Sequence, residues 1–336
     1  MRFFSLLLCL SFSLGAHAVT ISDLYEVQVP VSNQQADSRK NALGEALQQV
    51  IVKVTGNSNA LQNPDIQAQA QQAERYIKSL RYSQNPIDNS LQLDVIFAQD
   101  LLDKLLQRYQ LAIWGQSRPL ILLWQNIDEK GQRKLLSQEN GRWQGLIEQA
   151  FDERGLPVLW PMLNTDDWKI QTRNGQGELS RDDIIEASER YVADAQMTGR
   201  LWQRADGRFQ YQGFLLHQNQ QLDLSANGID AISTLRQIAD QLAGYLSKQY
   251  AVKSTGQAAG VQITVAGVKN FTAYQELLSY LKANAAIKQV RVISAQEQSL
   301  TLELDLSTPW TQVWSGLVLD KRLRALEQEQ SYQWQS

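Results

Sequence analysis

The sequence is poor in the side chains that most often do chemistry in proteins. Its 336 residues include one cysteine, Cys9, and two histidines, His17 and His217. One thiol excludes an intramolecular disulfide, and two imidazoles are too few for the usual zinc sites. Gly175 and Gly177 lack the third glycine, or the following lysine, of nucleotide-binding loops. We therefore predict no catalytic residues, no metal and no cofactor.

The chain also lacks an excess of positive charge. It carries 32 basic and 35 acidic residues, which gives a formal net charge of -3. Binding to nucleic acid depends on cations that neutralise phosphates, and the order of the residues contains no basic stretch. We therefore expect no nucleic-acid partner.

An apolar run of signal-peptide length lies at the amino terminus. Residues 6–14 follow the cation Arg2 and precede Ala16 and Ala18, the small residues that a signal peptidase recognises. The run is much shorter than the roughly 20 residues that span a bilayer. We predict that residues 1–18 are a signal peptide cleaved after Ala18, that the mature protein is periplasmic, and that it has no transmembrane segment.

The length predicts several domains, because one core rarely serves 336 residues. For residues 19–112, an alternating strand near Val27 precedes a helix with an apolar stripe around Leu47. Asn63 and Pro64 begin a second helix. Two paired strands and a closing helix follow. These patterns predict an N-terminal α+β domain with the order β-α-α-β-β-α.

Residues 113–250 predict a middle α/β domain with the order β-α-β-α-β-β-β-α. Apolar runs at 119–124 and 156–160 indicate buried strands around an amphipathic helix. The polar stretch 164–179 is interpreted as a surface loop. Asp206 and Gly207 indicate a hairpin turn, and a long final helix closes the domain.

Small residues at 251–260 predict a linker. Residues 261–326 then have the pattern of a ferredoxin-like module, β-α-β-β-α-β, whose last strand falls near residues 321–326. A single helix from Pro309 to Glu327 is the alternative. The glutamine-rich end, residues 327–336, is expected to be frayed. The predicted fold class is thus α+β, with three small domains that are each a sheet covered by helices.

Several segments carry a family resemblance. Residues 39–56, with the strand at 25–29 before them and Asn63-Pro64 after them, are similar to secreted Gram-negative envelope proteins classed as domain of unknown function 2066. The similarity continues through residues 150–161 and 191–194. At the level of fold, the middle portion resembles the TolB amino-terminal domain and the curli-secretion lipoprotein domain. The resemblance implies envelope assembly or protein binding and carries no catalytic residue.

Two groups of residues are candidates for contact with a ligand or partner. Asp166, Asp167 and Trp168 lie in the predicted polar loop, where two carboxylates beside an indole ring can contact a saccharide or a cation. Trp310 and Trp314 lie at an element end and are the candidate partner surface. His217 is interpreted as a surface histidine in a turn, because no nucleophile or carboxylate is paired with it by spacing.

The nine tryptophans divide by context. Trp124, Trp143 and Trp160 fall in apolar periodic runs and are predicted to be core residues. The other six lie next to polar residues or at element ends: Trp114, Trp168, Trp202, Trp310, Trp314 and Trp334. Such a ring is either partly buried at a domain junction or in contact with a partner, and the sequence leaves both interpretations open.

These features favour a non-enzymatic accessory or scaffold protein of the cell envelope that acts by binding other envelope proteins. One alternative is a module that binds peptidoglycan or another carbohydrate. A hydrolase that uses carboxylates alone is the least favoured alternative, because nothing apart from acidic side chains could carry its chemistry.

Overall fold

The structure is a computed structural model, and it describes residues 21–85, 89–129, 131–137, 141–172, 179–253, 259–319 and 321–335. Within these ranges the chain forms three sheets, each covered by helices. The predicted α+β class is therefore confirmed. The predicted signal peptide and its cleavage site lie outside the described residues, as do residues 254–258 of the predicted linker.

The first unit has the predicted order β-α-α-β-β-α. Its elements are β1 Glu26–Pro30, α1 Ala36–Thr55, α2 Pro64–Ala70, β2 Ile77–Gln84, β3 Leu91–Phe97 and α3 Gln99–Arg108, with short 3₁₀ turns at Ser58–Gln62 and Ala73–Tyr76. The sheet is antiparallel in the order β1-β3-β2, so β1 and β2 are its edges. The apolar stripe of α1 packs on the inward side chains of β1 and β3, which alternate with outward polar ones.

The middle unit contains more elements than predicted. They are β4 Ile121–Glu129, β5 Gln132–Leu135, α4 Gly141–Asp152, β6 Val158–Leu159, α5 Thr165–Thr172, α6 Arg181–Ser188, β7 Ala195–Gln203, β8 Phe209–His217, β9 Gln220–Gly228 and α7 Ala231–Tyr250. The sheet order is β5-β4-β7-β8-β9, with β6 also paired to β4. Helices α4 and α7 cover one face, whereas α6 contributes to a smaller core on the other.

In the middle unit, one strand was not predicted and one prediction is wrong. The polar strand β5 was not predicted, because an edge strand needs no apolar alternation to pair with its neighbour. Residues 165–172, interpreted as part of a surface loop, form α5. A tertiary contact explains this helix, because the carboxylate of Asp167 in its first turn is buried against α6 and the residues after it.

The last unit begins in the predicted ferredoxin-like order and ends differently. Its elements are β10 Ala259–Ala266, α8 Phe271–Lys282, β11 Ile287–Gln296, β12 Ser299–Leu306, α9 Trp310–Leu317, β13 Leu323–Ala325 and β14 Ser331–Trp334. The sheet order is β11-β12-β10-β14-β13. Helix α9 ends at Leu317, so the alternative of one helix through Glu327 is wrong.

The predicted frayed tail is also wrong for its described part. Strand β14 pairs in parallel with β10, the position expected for the last strand of a ferredoxin-like module. The strand predicted near residues 321–326 is β13, and it pairs with the other side of β14 at the edge of the sheet. Tyr332 and Trp334 are 7% and 3% exposed and belong to the core of this sheet. Burial of these two rings therefore outweighs the polar, glutamine-rich composition of the segment.

The first and middle units meet at a buried polar junction. The backbone N–H of Trp114 donates to Val54 O at 2.8 Å, and Ser247 Oγ donates to Gly56 O at 3.3 Å. Gly56 ends α1 with φ +64°, and a Cβ there would approach Ser247 Cβ to 2.6 Å. Any other residue at position 56 would therefore strain the backbone and force α1 away from α7.

Arg118 is the centre of this junction. Its guanidinium is 0% exposed and lies 3.7 Å from the centroid of a Trp114 ring. It donates to backbone carbonyls, with Nη2 2.9 Å from Lys53 O in the last turn of α1 and Nη1 3.3 Å from Gly155 O after α4. Helix carboxyl ends carry partial negative charge, so they can replace a carboxylate partner. Burial lowers the pKa of Arg118 to about 9, which leaves it charged at neutral pH.

Candidate functional site

A cleft of about 990 Å³ opens between the first sheet and the middle unit. Its floor is the outward face of the first sheet, and its walls are the side of α1, the end of α4 and one turn of α7. The volume lies at the upper end of the range for small-ligand pockets, and the surface mixes polar with apolar groups. The arrangement is that of a groove between two units.

The floor consists of polar side chains in register across the three strands. Gln28 in β1 lies opposite Asp94 in β3, and Asp94 lies opposite Arg81 in β2. Arg81 donates to the Asp94 carboxylate at 2.9 Å, and Ser83 Oγ donates to its other oxygen at 2.8 Å. The floor carboxylate is therefore held by its neighbours, so the floor is a preformed polar surface.

A buried lysine lies at the deep end of the cleft. Lys53 in α1 is 1% exposed, and its Nζ is 3.5 Å from an oxygen of Asp23 and 3.5 Å from an oxygen of Asp152. It also lies 3.4 Å from Glu26 O, a carbonyl of β1. One ammonium thus joins the first unit to the end of α4 beside the β1 edge.

The opposite wall is held by two ion pairs of the middle unit. Arg236 in α7 donates to both carboxylate oxygens of Glu153, at 2.6 and 2.7 Å. Arg154 pairs with Asp240 in the same helix. The forked contact of Arg236 and the single contact of Arg154 fix the wall geometry and leave both guanidinium groups compensated.

The charges of the cleft do not cancel completely. Its lining includes six acidic and four basic residues. Each cation has a carboxylate partner, whereas Glu26 and Glu45 form no ion pair within the described part of the chain. The cleft therefore carries an excess of negative charge beside β1.

The described residues contain no group of three or more His, Cys, Asp or Glu side chains that could hold a metal ion. Across the same ranges, no helix is both long and apolar enough to cross a bilayer.

The three predicted ligand contacts differ in what they offer. Asp167 is 0% exposed, and its carboxylate accepts hydrogen bonds from Arg190 and from Tyr191 Oη. Asp166 is exposed and pairs with Lys169 at 2.9 Å, which holds the pKa of its carboxyl below the ordinary value. The side chain of Trp168 lies outside the description. Both oxygens of Asp167 thus stabilise the fold, and Asp166 is the exposed carboxylate of the pair.

The predicted partner surface is an aromatic cluster on the last unit. Trp310 and Trp314 are half-buried, and their ring centroids are 6.1 Å apart. Tyr332 packs against both rings and accepts a hydrogen bond from Trp310 Nε1 at 2.8 Å. Strand β14 therefore brings the tail onto the two rings, a contact that helical spacing alone could not show.

The other tryptophans are mostly structural. Trp124 and Trp160 are buried as predicted, whereas Trp143 is half-buried. Trp114 and Trp334 are 1% and 3% exposed and belong to the core.

His217 is buried, so its interpretation as a surface residue is wrong. It is 2% exposed, and its Nε2 lies 2.8 Å from Tyr250 Oη in α7. Burial lowers the pKa of the imidazole below its ordinary value, so the ring is neutral at pH 7. His217 is the last residue of β8, and its side chain faces α7. The polar residues that follow it in the sequence suggested an exposed turn instead.

The cleft was not predicted from the sequence. Its signals were present as outward polar positions in alternating strands, such as Gln28 and Asp94, but such positions usually indicate a solvated face. The opposing wall comes from residues more than 50 positions away along the chain.

Comparisons with known proteins bear on the first unit. Residues 18–115 match a family described as "Domain of unknown function (DUF8605)", which covers somewhat less than a third of the chain. No curated protein matches. One solved structure, titled "Crystal structure of uncharacterized protein", is similar at 12% identity over 39% of this chain and 88% of its own, with a TM-score of 0.16.

The resemblance to domain of unknown function 2066 is wrong, because the family that matches residues 18–115 is a different one. The likeness to the TolB and curli-secretion domains has no support in these comparisons. A strand, an amphipathic helix and a proline-initiated helix form a local pattern that does not by itself identify a family.

Proposed function

We propose that the protein is a non-enzymatic accessory or scaffold protein of the bacterial periplasm that acts by binding other envelope proteins. The cleft carries this proposal. Its walls come from two units joined by the Arg118 junction, so its shape is preformed. Its volume suits a polypeptide segment at least as well as a small molecule.

The residues that line the cleft favour recognition over catalysis. A general acid or base needs an ionisable group near the reacting atoms with a pKa suited to proton transfer. Here the four basic side chains of the lining are held in ion pairs that fix the walls and floor. The carboxylates of Glu26 and Glu45, which form no ion pair among the described residues, are exposed, where they can attract a partner. The pattern at residues 1–18 supports export to the periplasm.

Site-specific photocrosslinking tests the proposal. A photoreactive phenylalanine analogue placed at Gln28 or Ser79, which line the cleft, should form reproducible adducts with envelope proteins in a periplasmic extract. The same analogue at Gln67 or Gln275, exposed helical positions outside the cleft, is the control and should give none.

Equal adducts at all four positions, or none at the cleft positions, would contradict the proposal. Sedimentation of the purified protein with peptidoglycan, without protein adducts, would replace it with the glycan-binding alternative. Measurement of the amino-terminal residue of the exported chain separately tests cleavage after Ala18.

A further inference from the structure

The first strand of the first sheet has an open edge in the cleft. In the pairing of β1 with β3, Phe97 N–H donates to Tyr25 O at one end and Val31 N–H donates to Leu91 O at the other. Hydrogen-bonded pairs alternate in an antiparallel ladder, so Val27 and Val29 also bond to β3. The backbone groups of Gln28 between them point away from the sheet.

These outward groups are available to another strand. The N–H and C=O of Gln28 and the C=O of Pro30 form no hydrogen bond within the described ranges. Gln28 and Pro30 are both exposed and line the cleft. Proteins usually cover or disrupt such an edge, because it is a template for strand addition. Here the edge faces an open groove with room for another chain.

The cleft also has a charge preference. Glu26 and Glu45 lie beside the edge without ion pairs among the described residues, whereas the four cations of the lining are compensated. An added segment that carries lysine or arginine would offset this excess, and an acidic one would be repelled. Backbone pairing with β1 would supply affinity, and the charges would supply selectivity.

We propose that the cleft binds an extended basic peptide segment, which adds to the free edge of β1 as a further strand. This inference rests on the proposed protein-binding function and specifies the chemistry of the partner. The geometry limits the pairing to a short segment, because Pro30 lacks an N–H and Glu26 O is already near Lys53 Nζ.

A direct binding measurement tests strand addition. The probe is a fluorescent decapeptide of alternating lysine and threonine, and a glutamate-threonine decapeptide is the charge control, both followed by fluorescence anisotropy with the full mature chain. We expect the lysine peptide to bind and the glutamate peptide to bind at least about tenfold more weakly. N-methylation of alternate peptide bonds should cause a similar loss, because it removes donors to β1.

Matched variants locate the site. Gln28→Pro removes the free N–H of the β1 edge and should weaken binding about tenfold. Gln84→Pro changes the corresponding outward position of β2, the other edge of the same sheet, and should have no effect. Glu26→Gln with Glu45→Gln should weaken binding, whereas Glu276→Gln with Glu327→Gln, at exposed positions on the last unit, should not. Far-UV circular dichroism and unfolding midpoints verify that each variant is folded.

The outcomes separate the two proposals. Equal binding of both peptides, or equal loss in Gln28→Pro and Gln84→Pro, would refute strand addition. If crosslinking at Ser79 captures envelope proteins while the lysine peptide does not bind, strand addition fails and the binding function stands. Absence of both adducts and peptide binding would refute both.

Discussion

Replacement of Arg118 by lysine tests whether the buried guanidinium joins the first two units. All five N–H donors of Arg118 are engaged: Nε donates to Gly115 O, and the two terminal nitrogens donate to the carbonyls of Lys53, Trp114, Arg154 and Gly155. Lysine preserves the charge but has a single nitrogen, no planar fork and a weaker contact with the Trp114 ring.

The expected loss follows from the number of carbonyls left without a donor. If the ammonium of lysine retains two of the five bonds, three buried carbonyls lose their partner. Each such loss costs about 1–2 kcal/mol, so the free energy of unfolding should fall by about 3–6 kcal/mol. This is a large part of the roughly 5–15 kcal/mol that stabilises a typical protein.

Urea unfolding followed by tryptophan fluorescence and far-UV circular dichroism measures the effect. The control is Arg204→Lys, because Arg204 is about half exposed and its ion pair with Asp206 spans 3.9 Å. The control should unfold within about 0.5 kcal/mol of the unchanged protein. A comparably small change in Arg118→Lys would refute the role assigned to the guanidinium.

Three further predictions concern the first, last and middle units. Burial raises the pKa of Asp103 to about 6, and this carboxyl accepts a hydrogen bond from Tyr25 Oη at 2.8 Å. A raised carboxyl pKa gives stability that is present below the ordinary value of 3.8 and lost as pH rises through 6. Asp103→Asn should therefore stabilise the protein by up to about 3 kcal/mol at pH 8 and have little effect at pH 3.5 in thermal unfolding, whereas equal effects at both pH values would contradict the assignment. Truncation after Glu327 removes β14 and should cost more than the roughly 3–5 kcal/mol of losing one buried tryptophan, measured by urea unfolding, whereas a frayed tail would cost almost nothing. Asp167→Ala should lower the free energy of unfolding by about 3–5 kcal/mol, because it leaves Tyr191 without its acceptor and Arg190 with its longer contact to Asp166 at 3.9 Å. Asp166→Ala should change the free energy of unfolding by less than about 1 kcal/mol. Equal urea midpoints of the two variants would contradict the difference in burial.

Strong local periodicity predicted most of the elements correctly. The apolar stripe of α1 around Leu47 and the proline start of α2 depend on neighbours three or four residues apart, so a single sequence shows them. The β7–β8 hairpin followed from the turn at Asp206 and Gly207 for the same reason.

Elements that depend on distant partners were missed. Strand β14 is polar in composition and is recognisable only once β10 provides an open edge. Helix α5 depends on a carboxylate that pairs with Arg190, more than 20 residues later. His217 was assigned to the surface because its sequence neighbours are polar, whereas its ring packs against Tyr250 in the final helix of the middle unit.

The sequence alone determined which reactive side chains the protein has, because the scarcity of thiols and imidazoles is the same in any conformation. It also determined the α+β class, since that class follows from periodicities of two and 3.6 residues. Only the tertiary structure placed the open edge of β1 opposite α4 and α7 and buried Lys53 and Arg118 between the two units. The physical reason is that local pattern reflects the conformation of neighbouring residues, whereas a cleft and its charge balance depend on groups brought together from distant parts of the chain.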